Sequence, residues 1–283
     1  MCELLGLSSS RPARLTFSLR SLASHGGMGG VAPDGWGVAF YEGRDVALFR
    51  EPAPAADSAL VRHLETQGPR THLAISHIRH ATRGAVTLAN TQPFVRELGG
   101  RTHVFAHNGD LPGIWQNTAL SIGPHHPVGE TDSERAFCAL LARLRMLSAD
   151  EPLPPLSARL ALLELFAAEL RALGPANFLY ADADVLFAHG HRRIRLATGR
   201  VEAPGLWILQ RHCADDEAST GHAGGVAMAQ EGQSIVMIAS VPLTNDAWRS
   251  LSDGEIVVVR DGMVITVPPG NSSRTRIVDV SRH

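Results

Sequence analysis

Two consecutive helix-patterned segments in the middle of the chain, with strand-like segments on both sides, restrict the folds open to it. The first begins Thr131-Asp132-Ser133-Glu134, which fits a capping box: a threonine cap with a glutamate three residues later. Phe137, Leu140, Leu141, Leu144 and Leu147 then recur at helical spacing. The second runs from Ser157, carries Leu160, Leu163, Leu170 and Leu173 in phase, and stops at Gly174-Pro175. Apolar, β-branched or aromatic runs precede the pair at 2–8, 36–41, 46–50, 73–79 and 102–107, with 42–45 as a hairpin turn between two of them. A short helix is expected at 57–66, and helical spacing occurs at Leu15, Leu19 and Leu22. After the pair come strand-like runs at 178–180, 185–188, 206–209, 235–238 and 255–259. Asp261-Gly262 then joins the last of these to 263–267 as a hairpin. Strands, two helices, strands is not the βαβ alternation of a parallel doubly wound sheet. It suits an α+β protein with antiparallel sheets and helices packed outside them. Neither an internal repeat nor a linker stands out, so 1–283 reads as one domain, with the polar residues 268–283 as a trailing C-terminal arm.

Composition excludes several functions. A formal charge of -2 with no basic block argues against nucleic acid as a partner. No stretch approaches the roughly 20 apolar residues of a membrane span, and the N-terminus has no signal-peptide pattern. Cys2, Cys138 and Cys213 are odd in number and far apart, which suits a reducing, cytoplasmic setting. Cys138 beside Phe137 is expected in the core, and Cys213 in a loop. The histidines, His125-His126 and His189-Gly190-His191 among them, have no metal-ligand spacing, so no metal or other cofactor is expected. Gly26-Gly27-Met28-Gly29-Gly30 lacks the Lys-Ser/Thr of a phosphate loop. It reads as a mobile loop near a pocket.

The remaining chemistry starts at Cys2. Once Met1 is removed, this residue carries both a thiol and a free α-amine. An α-amine titrates near about 7.7–8, so it can accept the thiol proton and activate its own nucleophile. Three further stretches bear on it. In His77-Ile78-Arg79-His80-Ala81-Thr82-Arg83-Gly84, arginines at a strand exit suit an anionic ligand. In His107-Asn108-Gly109-Asp110, Asn-Gly is first a turn signal. The same pair also supplies an amide NH₂ and an unobstructed backbone N–H, the donors of an oxyanion hole. Asp132 falls in a first helical turn. There it complements the helix dipole, or it could bind an ammonium group.

The segments Met1–Gly6, Asp34–Phe40, Ile78–Gly84, His107–Gly109 and Glu130–Glu134, taken in this order, resemble the glutaminase domain of the class II glutamine amidotransferases, N-terminal-nucleophile hydrolases. The remainder resembles the stand-alone branch without a synthase domain. The resemblance implies a four-layer αββα sandwich of two antiparallel sheets. It implies Cys2 as nucleophile with its own α-amine as base, and Asn108 and Gly109 as oxyanion hole. It also implies Arg79 on the substrate α-carboxylate, Asp132 on its α-ammonium, and Thr82 and the backbone near Arg83 lining the pocket. Glutamine is then the expected small-molecule substrate, giving ammonia and, through a γ-glutamyl thioester, glutamate. Any acceptor of that ammonia would be a separate synthase or acceptor subunit.

The sequence departs from the family at three places. Gly29-Gly30-Val31-Ala32-Pro33 stands where synthase-linked members have an Arg-Gly-Tyr segment. His80 replaces a common aromatic, and Gln92 a frequent histidine. Two other readings stay open: an amidase for larger γ-glutamyl peptides or conjugates, and a non-catalytic subunit that retains Met1.

Overall fold

A computed structural model describes residues 2–15, 34–80, 84–149, 151–195, 198–213, 222–223, 226–227 and 232–267. Its main strands in the first part of the chain are β1 (Glu3–Leu15), β2 (Trp36–Glu42), β3 (Asp45–Glu51), β4 (Thr71–Ile78), β5 (Phe94–Leu98) and β6 (Arg101–Gly109). The helix α1 (Ala59–Gln67) lies between β3 and β4. Next come α2 (Asp132–Leu147) and α3 (Leu156–Leu173). They are followed by β7 (Ala176–Ala181), β8 (Leu186–His189), β9 (Trp207–Cys213), β10 (Gln233–Ala239), β11 (Ile256–Arg260) and β12 (Met263–Val264).

All pairs among the described strands are antiparallel, in two large sheets and one separate pair, 193–194 with 201–202. The first has the order β9-β10-β1-β4-β2-β3, with the short strand 249–250 beyond β9 and the pair 222–223/226–227 attached to β1. The second has the order β12-β11-β8-β7-β6-β5. Alternation along β1 sets the layers. Leu4 enters an aliphatic core between the sheets, with Ala39, Ile75, Val104, Ala106, Leu179 and Leu186. Leu5 and Leu7 face the other way, into a core closed by Val61 and Leu64 of α1. On the far side of the second sheet, Phe105, Phe178, Tyr180 and Phe187 pack on Phe137, Leu140 and Leu144 of α2 and on Leu163, Phe166 and Leu170 of α3. Each such fully buried side chain contributes about 1.5–3 kcal/mol. The layers are therefore α1, sheet, sheet, and the α2–α3 pair, the αββα order expected from the resemblance.

Several local expectations are corrected. Leu15 is the last residue of a strand, because β1 runs on to pair with β4 and with residues 226–227. Leu19, Leu22, the 26–30 glycines, Thr82 and the 268–283 arm lie outside the described residues. Asn108 and Gly109 form no turn. They close β6 opposite Asn177 and Ala176 of β7, since a second strand is available to take the ladder. Thr131 caps α2 as expected, its hydroxyl accepting from the Glu134 N–H at 3.2 Å. Glu134 does not reciprocate, because its carboxylate accepts from the N–H groups of Val128 (3.0 Å) and Gly129 (2.7 Å) and pairs with Arg96. Cys213 ends β9, and Cys138 is fully buried. The hairpin at Asp261-Gly262 forms as expected, with both residues at positive φ (49° and 71°).

Candidate active site

Antiparallel pairing brings the chemistry to one end of the sandwich. Glu3 of β1 sits opposite Ile78 of β4, and Ile78 is also opposite Trp36 of β2, so the start of β1 lies beside the residues that leave β4. The end of β6 and the first turn of α2 reach the same place. Cys2, Arg79, Gly109 and Asp132, from four separate segments, line a single pocket with His80, Asn90, Gln92, His107, Asp110, Thr131 and Ser133. Its empty space, open mouth included, is about 440 Å³. Among the described residues, no cluster of His, Cys, Asp and Glu could hold a metal ion.

The thiol of Cys2 is partly buried and touches the backbone of the β4 exit. The His80 N–H points at Sγ at 3.3 Å, and Sγ lies 3.4 Å from the His80 carbonyl oxygen. Burial pushes the thiol above its ordinary value, against the His80 N–H and the Arg79 charge, which favour the thiolate. Such a thiol is protonated at neutral pH and reacts only with a base at hand.

The backbone of Cys2 is held as well. Asn108 Nδ2 donates to the Cys2 carbonyl oxygen at 2.6 Å and lies 3.5 Å from Ser240 Oγ. Asn108 is thus beside the nucleophile but behind the pocket wall. Gly109 is on the wall. A Cβ at Gly109 would sit 1.8 Å from the Pro175 carbonyl oxygen and 2.7 Å from His107 Nε2, so the close approach of β6 to β7 requires glycine there.

Arg79 is 3 % exposed, and its Nη2 donates to the Gly84 carbonyl at 3.2 Å. The Asp132 carboxylate accepts from the Leu111 N–H (2.8 Å), the Ser133 N–H (2.7 Å) and the Ser133 hydroxyl (3.2 Å). The two groups bring opposite charges to one pocket. Ser133 Oγ also lies 2.9 Å from His107 Nδ1, which links the imidazole to Asp132. Burial holds His107 below the usual imidazole value, against the pull of Asp132. His77 is fully buried, with neither ring nitrogen bonded. Burial, with the nearby His107 and Arg79, pushes it to about 3.

Sequence reasoning assigned no role to His107, Ser133, Glu3, Arg193 or Ser240. Glu3 carried a usable signal, since a carboxylate inside an apolar strand needs a buried partner. Ser240 carried none.

A family model described as "Glutamine amidotransferases class-II" matches residues 1–281. "Putative glutamine amidotransferase YafJ" of Escherichia coli (strain K12) is 36% identical over 256 residues, covering 90% of this chain and 96% of that protein. A crystal structure of a "predicted glutamine amidotransferase from Pseudomonas aeruginosa PA01" is 33% identical with a TM-score of 0.65, covering 94% of this chain and all of the other. The glutamine phosphoribosylpyrophosphate amidotransferase of B. subtilis shares the fold at 16% identity and a TM-score of 0.55, over 93% of this chain and 48% of its own. No described helix is long and apolar enough to cross a membrane.

Proposed function

Because this chain belongs to the class II glutamine amidotransferases, we propose that it hydrolyses the γ-carboxamide of glutamine through an N-terminal Cys2. The observation that carries this reading is the meeting of Cys2, Arg79, Gly109 and Asp132 in one pocket. With Met1 removed, the α-amine of Cys2 takes the thiol proton, which the raised thiol pKa makes necessary. The thiolate attacks the γ-carbonyl carbon. Asn108 and the Gly109 N–H receive the developing oxyanion, the Asn108 amide turning from the Cys2 carbonyl that it now bonds. The amine returns its proton to the departing nitrogen, ammonia leaves, and a γ-glutamyl thioester remains on Sγ. Water, deprotonated by the same amine, hydrolyses the thioester to glutamate. Arg79 grips the α-carboxylate and Asp132 the α-ammonium, each charge meeting its opposite.

One observation favours a larger γ-glutamyl substrate as a second reading. Val86, Leu88 and Val128 are 49%, 48% and 76% exposed, on the segments that carry the pocket residues Asn90 and Thr131. Relative turnover of glutamine and γ-glutamyl peptides separates the two readings.

Intact mass and a glutaminase assay on wild type and Cys2→Ala test the mechanism. The expected mass lacks Met1, and the expected loss in Cys2→Ala is at least about 10⁴-fold. Hydrolysis that survives Cys2→Ala overturns it.

A further inference from the structure

Behind the nucleophile lies a buried chain of polar groups, Arg193, Glu3 and Ser240, that do not line the pocket. Arg193, 5 % exposed and 190 residues from Glu3 in sequence, reaches the start of β1. Its Nη2 donates to Glu3 Oε1 at 2.7 Å and its Nη1 to the Ser240 carbonyl oxygen at 2.6 Å. Ser240 in turn exchanges two bonds with Leu4. Its N–H donates to the Leu4 carbonyl at 3.1 Å, and its hydroxyl accepts from the Leu4 N–H at 2.9 Å. The same hydroxyl faces the Asn108 amide at 3.5 Å, and that amide holds the Cys2 carbonyl. One guanidinium thus grips the residue after the nucleophile and the residue that adjoins Asn108.

A buried ion pair is a weak device for stability alone. Desolvation offsets most of its attraction, and apolar replacements are often neutral. What two fixed bonds from a planar guanidinium supply is geometry. A displacement of about 1 Å at a reacting group costs on the order of 100-fold in rate.

We propose that Arg193 is a positioning residue that, through Glu3 and Ser240, fixes the Cys2 end of β1 and the Asn108 amide for attack. The proposal rests on the reading of Cys2 as nucleophile. It also gives a role to a part of the chain that carries none of the family-like segments.

The test compares Arg193→Met, Arg193→Lys and Ser240→Ala with wild type in steady-state glutamine hydrolysis and thermal unfolding, with Cys2→Ala alongside. Arg193→Met is expected to lose about 10- to 100-fold in kcat with KM within about threefold. Arg193→Lys, which has one nitrogen for two acceptors, recovers part of the loss. Ser240→Ala, which leaves the ion pair intact, loses less than Arg193→Met, again in kcat. A kcat within twofold of wild type in both Arg193→Met and Ser240→Ala, whatever the change in Tm, overturns the positioning role. A rise in KM at unchanged kcat overturns it too. If Arg193→Met does not fold, Ser240→Ala and Arg193→Lys decide by the same criterion. Wild-type kcat in the Arg193 variants beside a dead Cys2→Ala removes the positioning role alone. Activity that survives Cys2→Ala removes the reading beneath it.

Discussion

The two flanks of Cys2 are built to opposite rules. On the backbone flank, Asn108, Ser240, Leu4, Glu3 and Arg193 form a buried hydrogen-bonded chain in which Glu3 Oε2 is left without a partner. On the thiol flank, the groups facing the pocket keep hydrogen-bonding capacity in hand. His107 Nε2 has no partner, and the Asp132 carboxylate accepts three donors where it has room for about four. A group with most of its bonds made inside the protein is suited to holding atoms in place, and Asn108 gives up its bond to the Cys2 carbonyl when it receives the proposed oxyanion. A group with open capacity binds at little cost. Under the proposed function, the difference assigns rate to the first flank and affinity to the second.

Mutation of one residue on each flank puts that separation at risk. Asn108→Ala removes the proposed oxyanion donor and is expected to lower kcat by about 10²–10³ with KM little changed. A change confined to KM would move Asn108 to the substrate-binding side. Next in size, Arg79→Ala and Asp132→Asn each remove one charge-assisted contact. Each is expected to raise KM by about 10- to 100-fold, with the smaller part of the loss in kcat. Equal falls in kcat and kcat/KM would erase the distinction between the flanks.

The smallest effect is on stability and has a defined sign. The unfolded chain protonates His77 near its ordinary value of 6.5, whereas the folded chain resists until about 3. The unfolded state therefore binds more protons as the pH falls through this window. The stability from the neutral imidazole is whole above pH 6.5 and declines below it by about 1.4 kcal/mol per pH unit. His107, which lines the pocket, is shifted in the same direction. Urea unfolding at pH 7, 6 and 5 measures the slope, and His77→Leu is expected to flatten it. An unchanged slope would show that His77 is already charged in the folded protein.

The candidate site was legible through the resemblance carried by several short segments together, each of them ambiguous alone. Arg79, Asn108-Gly109 and Asp132 each lie in a short segment at the end of an element, and antiparallel pairing gathers those ends. Thr131 was legible as a cap because that signal is local. Glu134 misled because its partners, Arg96 and the N–H groups of Val128 and Gly129, are tertiary. Asn108-Gly109 was read locally as a turn until β7 gave it a ladder partner. β5 escaped notice because Phe94-Val95-Arg96-Glu97-Leu98 is a short edge strand with charges on it, and edges are polar by need. Arg193 and Ser240 were out of reach, since nothing within a few residues of either announces a partner near residue 3.

That distance also sets an order of events in the making of the molecule. Leu4 finds its hydroxyl acceptor 236 residues downstream. Local contacts form early, and contacts between distant parts of a chain form late. As the chain emerges from the ribosome, Cys2 is made well before Ser240, and the clamp behind it closes only after Ser240 has been made. A chain cut short before Ser240 carries Cys2 without the groups that hold Leu4 and Arg193 in place behind it.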